Sequence, residues 1–524
     1  MKDKLTGLFP SSIVASIILL APALHAADGK WNVDANGLWS LKTNWLSNTI
    51  ADGWGFKANF TNDITADRTV SLDGDRTLTS LVFGDSATGT PGSWILTNNG
   101  DTNNNLILDG TTPGITVNAL GTGKNATISA IIEGTAGLVK SGNGTLILSG
   151  PNTYTGTTTI SAGTLNVTGA AGTLGARTAD VTLADVAGAT LDFTGVTSSR
   201  INGSLSGGGT SGGNIVLGGS TFYFGSGLLD YTYGGIISGT GSISYGGGGT
   251  HTLSGKNTFD GSTGISNGAL SINSISSVYG GASSLGNPTS TSNGRIFIGS
   301  KINTGSLIYT GSGHTTDRII DLYGTTGGAT LNASGSGALV FTSDFRASGA
   351  GAKTLTLTGS NTADNRIGGA IVDSGNGTTS VTKSGAGKWI LSGANTYTGG
   401  TIVSAGTLAL GADNPLPATA VSIGTATLDA STFDDTLGTL DAAGSAVINL
   451  GAGANLVFAD SSGIDWTGGT LKITGTFVSG SSIKFGSSKA ALTSTQLSQI
   501  SATGFTAFGL DANGYLTATA GRSK

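Results

Sequence analysis

Leu138-Val-Lys-Ser-Gly-Asn-Gly-Thr-Leu-Ile-Leu-Ser-Gly-Pro-Asn-Thr-Tyr-Thr-Gly-Thr-Thr-Thr-Ile-Ser-Ala-Gly-Thr-Leu-Asn-Val167 recurs without a gap from Val381 to Leu410. About 19 of the 30 positions are identical, which marks an internal repeat. A weaker third copy spans 243–272 and keeps Leu253-Ser254-Gly255, Asn257-Thr258-Phe259, Gly261, Gly268 and Leu270.

The unit alternates short apolar runs with turn residues. Leu146 and Leu148 flank Ile147, so a strand puts both leucines on one face. Leu391 holds the Leu148 position, and Leu165 is matched by Leu408. Gly150 and Gly393, with the asparagines Asn152 and Asn395, interrupt the runs. The remaining glycines pair as Gly142 with Gly385, Gly144 with Gly387, Gly156 with Gly399 and Gly163 with Gly406. Glycine suits tight corners because it takes positive φ without a steric penalty. The asparagines also tolerate that conformation and can cap turns through the side-chain amide. Each repeat therefore reads as about three short strands, too closely spaced for helices. Such strands bury an apolar face only when coil stacks on coil. Tyr154, Tyr397 and Phe259 share one phase of the repeat and read as a stacked aromatic column inside that core.

Lys-Ser-Gly-x-Gly, Leu-Ser-Gly-x-Asn-Thr-Tyr-Thr-Gly and Ser-Ala-Gly-Thr-Leu, in that order, resemble the autotransporter-associated β-strand repeat. The match is close over 140–165 and 383–408 and weak over 253–270; 323–382 is similar to the lead-in that precedes such repeats. The resemblance implies an all-β fold, a right-handed parallel β-helix, and a place outside the cell membrane. It implies no catalytic activity.

Composition agrees with a solenoid. Glycine accounts for 90 of 524 residues, well over twice the usual share of about 7%. Charged residues are only 10% and the net charge is −5, whereas disordered chains favour high net charge and few β-branched residues. The acidic balance lacks the basic stripe that nucleic acid requires. Cysteine is absent, which removes disulfides, thiolate catalysis and Cys-ligated metal.

In chain order, residues 1–26 read as a signal peptide. Lys2 and Lys4 form its basic start, 13–21 its apolar stretch, and cleavage falls after Ala26 or Ala27. Residues 27–96 form a Trp-rich N-terminal cap and first coils. Trp31, Trp39, Trp45 and Trp54 either close the open end of the solenoid or offer rings to sugars. Residues 97–486 form the solenoid proper; at about 20–25 residues per coil the roughly 500 residues of the mature chain give about 20 or more rungs, on the order of 100 Å. Residues 487–524 form a C-terminal cap, with a short helix over 492–500 and two strands around Asp511–Gly514. No apolar run after the leader approaches a membrane-spanning helix, and no series of ten-residue barrel strands follows, so export by a separate route is expected.

No catalytic or cofactor-binding residues are assigned, and no metal site. His251 takes the place of Leu146 in the weak copy, and His314 falls in a polar loop. The acidic spots Asp73/Asp75/Asp85, Asp317/Asp321 and Asp434/Asp435/Asp441 read as solvated turn carboxylates. The expected function is a non-enzymatic, exported, structural or adhesive rod facing polysaccharide or another cell. The alternatives are a β-helical lyase or hydrolase, which needs carboxylates converging over adjacent coils, and sugar binding through the N-terminal tryptophans.

Overall fold

The computed structural model describes residues 26–521, apart from 88, 170–173, 177, 197–198, 202 and 226. The leader expected over 1–26 lies almost wholly outside the described residues. The chain is a parallel β-solenoid of about 17 turns with three faces. One face is an unbroken ladder of eighteen parallel strands among the described residues, from Gly29–Lys30 to Leu440–Ala442. Seventeen steps of about 4.8 Å give that ladder a length of about 80 Å. This is shorter than the sequence suggests, because some coils are long: Gly268 pairs with Gly305, across a 37-residue turn, whereas Val381 pairs with Thr401, 20 residues on.

Among the described residues the second face carries two nine-stranded sheets, one ending at Ile237–Gly239 and the next beginning at Ser312–Thr316. The third carries sheets of three, six and three strands. Along the strands burial alternates with the pleat, as at Thr145–Leu148, where Leu146 and Leu148 are buried and Ile147 is not. Stacked inward residues such as Leu146, Leu165 and Leu191 share a register, so the core is one apolar column running the length of the rod.

The ladder begins at Gly29, well before 97, and the second face extends to Ile500–Ala502, beyond 486. The C-terminal segment holds a helix at Ser494–Ser498, started by a Thr493/Gln496 capping box. An antiparallel hairpin of Phe505–Leu510 with Leu516–Ala520 follows. Among the described residues no helix is long and apolar enough to cross a membrane, a statement that leaves β-barrels aside.

Candidate functional site

The repeat spans one and a half coils, so each copy holds four strands rather than three. In the first copy these are Leu138–Ser141, Thr145–Leu148, Thr158–Ile160 and Thr164–Thr168. Between the second and third, the chain crosses the third face without forming a strand, and Asn152 takes over the ladder. Its Oδ1 accepts from the Ile132 amide of the coil below (3.0 Å), while the Thr153 amide donates to the Ile132 carbonyl (2.9 Å). Asn395 repeats this over Ile371 (2.7 Å), as does Asn257 over Ile237 (2.8 Å). None of the three has positive φ. The asparagines are thus inter-coil bridges in an extended segment, not local turn caps. A side-chain carbonyl replaces a missing strand carbonyl because the buried amide beneath must be paired.

The glycines divide into two kinds. Gly142, Gly163, Gly385 and Gly406 sit at φ of 72°, 63°, 69° and 66°, where a Cβ is strained. Gly144, Gly150, Gly156, Gly387, Gly393 and Gly399 have ordinary φ but press on the coil below; a Cβ on Gly150 would stand 2.7 Å from the Ala130 carbonyl oxygen. Leu148, Leu165, Leu391 and Leu408 are fully buried.

Tyr154, Tyr397 and Phe259 are also fully buried, but they do not form a column. Each lies several coils from the next, and none contacts another ring among the described residues. Tyr154 instead bonds Thr158 Oγ1 through its hydroxyl (2.7 Å), and Tyr397 bonds Thr401 likewise (2.6 Å). Burial pushes both phenols above the usual range. Phe259 lacks the hydroxyl, and the matching Thr263 Oγ1 is buried with no partner.

Two lysines in the repeat carry a role that periodicity alone does not reveal. Lys140 points inward from its strand and is completely buried. Its Nζ donates to the carbonyls of Ser141 (3.0 Å), Gly142 (2.8 Å) and, one coil on, Ala162 (3.0 Å). Lys383 makes the same set with Ser384, Gly385 and Ala405, at 2.7, 2.8 and 2.9 Å. Burial lowers both amines to about 8, and the three carbonyls hold the ammonium. Each lysine staples two successive corners.

The N-terminal tryptophans are not a platform. Trp31, Trp39 and Trp45 are buried and meet edge to face, with Trp31–Trp45 at 5.3 Å and Trp39–Trp45 at 4.9 Å. All three pack on Phe60 of the next coil. Only Trp54 is exposed, at 67%. Sugar binding by four coplanar exposed rings is ruled out by this geometry.

The ionisable groups are dispersed. Asp73 accepts from Arg76 (3.1 Å) and Ser40, Asp75 from the Asn105 amide (2.9 Å), and Asp85 from the Ala87 amide (3.2 Å). Asp317 accepts from the Val278 amide (2.8 Å), Asp434 from the Asn455 amide (2.8 Å) and Asp441 from Ser422 (2.9 Å). Asp321 and Asp435 are not solvated; both are buried, and burial raises Asp435 to about 7. His251 is buried edge-on to Phe224 at 4.9 Å, and burial lowers it to about 4. His314 lies not in a loop but in strand Ser312–Thr316, with Nδ1 2.5 Å from the Tyr309 hydroxyl. Among the described residues no three His, Cys, Asp or Glu side chains converge as metal ligands would.

The passenger-associated-transport-repeat model matches at 138–167, 246–272 and 381–410. The chain carries three passenger-associated transport repeats. The middle match begins at 246, where the corner glycines start, rather than at 243. A similar protein is "Adhesin BmaC autotransporter" of Brucella suis biovar 1 (strain 1330), 37% identical over 315 residues. That alignment takes in 59% of this chain and only 9% of the relative. No solved structure matches.

Proposed function

We propose that this chain is an exported, non-enzymatic adhesive rod of the cell surface. The observation that carries the reading is the unbroken eighteen-strand ladder among the described residues, together with three passenger-associated transport repeats. It makes a stiff body of about 80 Å with many Ser, Thr, Asn and Gly on its flanks. Likeness to an adhesin autotransporter supports the adhesive part. In this reading residues 1–26 direct export, the buried tryptophans and the C-terminal hairpin close the two ends, and the repeat residues serve the scaffold. The partner is a polysaccharide or another cell surface, and neither nucleic acid nor a cofactor is involved. The dispersed carboxylates, mostly engaged by backbone amides or hydroxyls, favour this over a lyase or hydrolase.

The test is adherence. Beads coated with the full chain are expected to bind epithelial or bacterial cells several-fold above albumin-coated beads, and soluble chain should compete. Adherence no greater than the albumin control would overturn the adhesive reading. Release of reducing ends from a polysaccharide panel would overturn the non-enzymatic one.

A further inference from the structure

On the third face, Thr221–Phe224, Ser242–Tyr245, Thr263–Ile265 and Ile296–Ile298 stack in register, so Tyr223, Ser244, Gly264 and Phe297 follow one another. Their neighbours Phe222, Ile243, Ile265 and Ile296 are buried in the core. The outer row thus reads ring, hydroxyl, nothing, ring. Gly264 and Ser244 form the floor of a trough of about 260 Å³, and three rungs separate Tyr223 from Phe297, about 14 Å.

Hydroxyls line one flank: Ser242 Oγ and Ser262 Oγ are 3.1 Å apart, beside Thr221. At the far end Tyr323, 53% exposed, meets Phe297 edge to face at 5.3 Å. The Arg295 guanidinium lies 5.3 Å from the Phe297 ring centre. Arg295 Nε and Asp321 Oδ2 are buried without hydrogen-bond partners, and the two side chains face each other only at 3.9 Å. Among the described residues, nowhere else on this face do two outward rings bracket small residues. The corresponding outward positions are Thr77, Ile107 and Glu133 in the first sheet, and Thr436, Val457 and Lys484 in the last.

A ligand here must be recognised by side chains, because the strand backbone is already paired within the ladder and cannot accept another strand. Rings offer flat apolar faces, and serine and threonine hydroxyls both donate and accept. That combination suits a molecule with apolar C–H faces and a fringe of hydroxyls. The described lining carries no charged side chain, and neighbouring Arg295 is already held against Phe297 and Asp321, which favours an uncharged ligand. We propose that the trough between Tyr223 and Phe297/Tyr323 binds a segment of neutral polysaccharide laid along the rod axis; this rests on the adhesive reading above and names the chemistry contacted.

Affinity electrophoresis of the full chain in gels containing laminarin, dextran or xyloglucan tests it. At least one of these should retard the chain. Phe297→Ala should weaken retardation at least tenfold, as should Gly264→Trp, which fills the floor; Trp54→Ala, on the first coil, should not change it. Circular dichroism checks that each variant keeps its β-structure, and Phe297→Ala stands as the decisive variant if Gly264→Trp misfolds. No retardation by any neutral polymer, equal retardation of Phe297→Ala, or retardation by heparin alone would overturn the assignment. Bead adherence measured in parallel separates the two readings. Adherence without retardation removes the trough and leaves the adhesive reading, whereas loss of both removes both.

Discussion

The first and third repeats differ from the middle one in orientation as well as in sequence. In 138–167 and 381–410 the opening strand lies on the continuous first face, and Asn-Thr-Tyr crosses the third. In 246–272 the strand before the corner, Ser242–Tyr245, lies on the third face and Thr250–Leu253 on the first, while Asn257-Thr258-Phe259 crosses the second. The middle copy is therefore turned by one face about the rod axis. The breaks in the sheets follow from this. The second-face sheet stops at Ile237–Gly239 because Asn257 bridges there, and the third-face sheet is interrupted where Asn152 and Asn395 do the same. The solenoid reads the repeat as a sequence of faces and corners, and the copies open on either the first face or the third.

The middle copy has also exchanged the residues that lock it. Tyr245 stands where the others have lysine, and its hydroxyl reaches only Gly249 of its own corner (2.9 Å). His251 stands for Leu146, with Nε2 unpaired, and Phe259 for Tyr154. If the lysine staple is what separates strong copies from the weak one, Lys140→Met and Lys383→Met should each cost about 3 kcal/mol, since buried carbonyls lose a charged donor. Hydrogen exchange at the corners should rise equally in the two copies; a clearly smaller effect in one would break the equivalence. Because solenoid coils unfold semi-independently, exchange read by peptide is the suitable measure.

His251→Leu should remove a pH dependence confined to the middle copy. Burial holds the folded imidazole at about 4, below the ordinary value near 6.5. The unfolded chain therefore takes up the proton first, and stability falls as pH drops from about 6.5 to about 4. Leucine should add about 3 kcal/mol more at pH 4 than at pH 7, read as the difference in denaturation midpoints. Equal gains at both pH values would show that the ring's packing, not its proton, sets the cost. Phe259→Tyr should gain about 1 kcal/mol by giving Thr263 the partner its counterparts have. The smallest change is expected from Tyr245→Phe, a loss of about 0.5–1 kcal/mol, because one neutral hydrogen bond within a single corner is removed.

The fold was legible because period-2 alternation and recurring corner glycines are local signals. Leu146, Leu148, Leu165 and their copies declare their side of the pleat without knowledge of the partner strand. The roles of Asn152, Lys140 and Tyr154 were not legible in the same way. Asn152 looks like a turn residue until Ile132, twenty positions earlier, is known to lie beneath it. An inward lysine reads as solvent-facing until its alternation with Leu138 is followed through. The aromatic column failed for a geometric reason: residues at one phase of a repeat stack only if the repeats are adjacent, and these copies are separated by divergent coils. The Tyr223–Phe297 trough was not legible because its two ends come from coils whose sequences do not repeat one another.

In the eighteen-strand ladder the bonds between coils point along the rod. A pull on its two ends therefore loads those bonds one coil after another rather than all together. A coil of 20 residues, such as that from Val381 to Thr401, would release roughly 65–70 Å of extended chain in place of one rung. Under tension the molecule would lengthen in discrete steps, yielding to drag coil by coil while the rest of the stack keeps its shape.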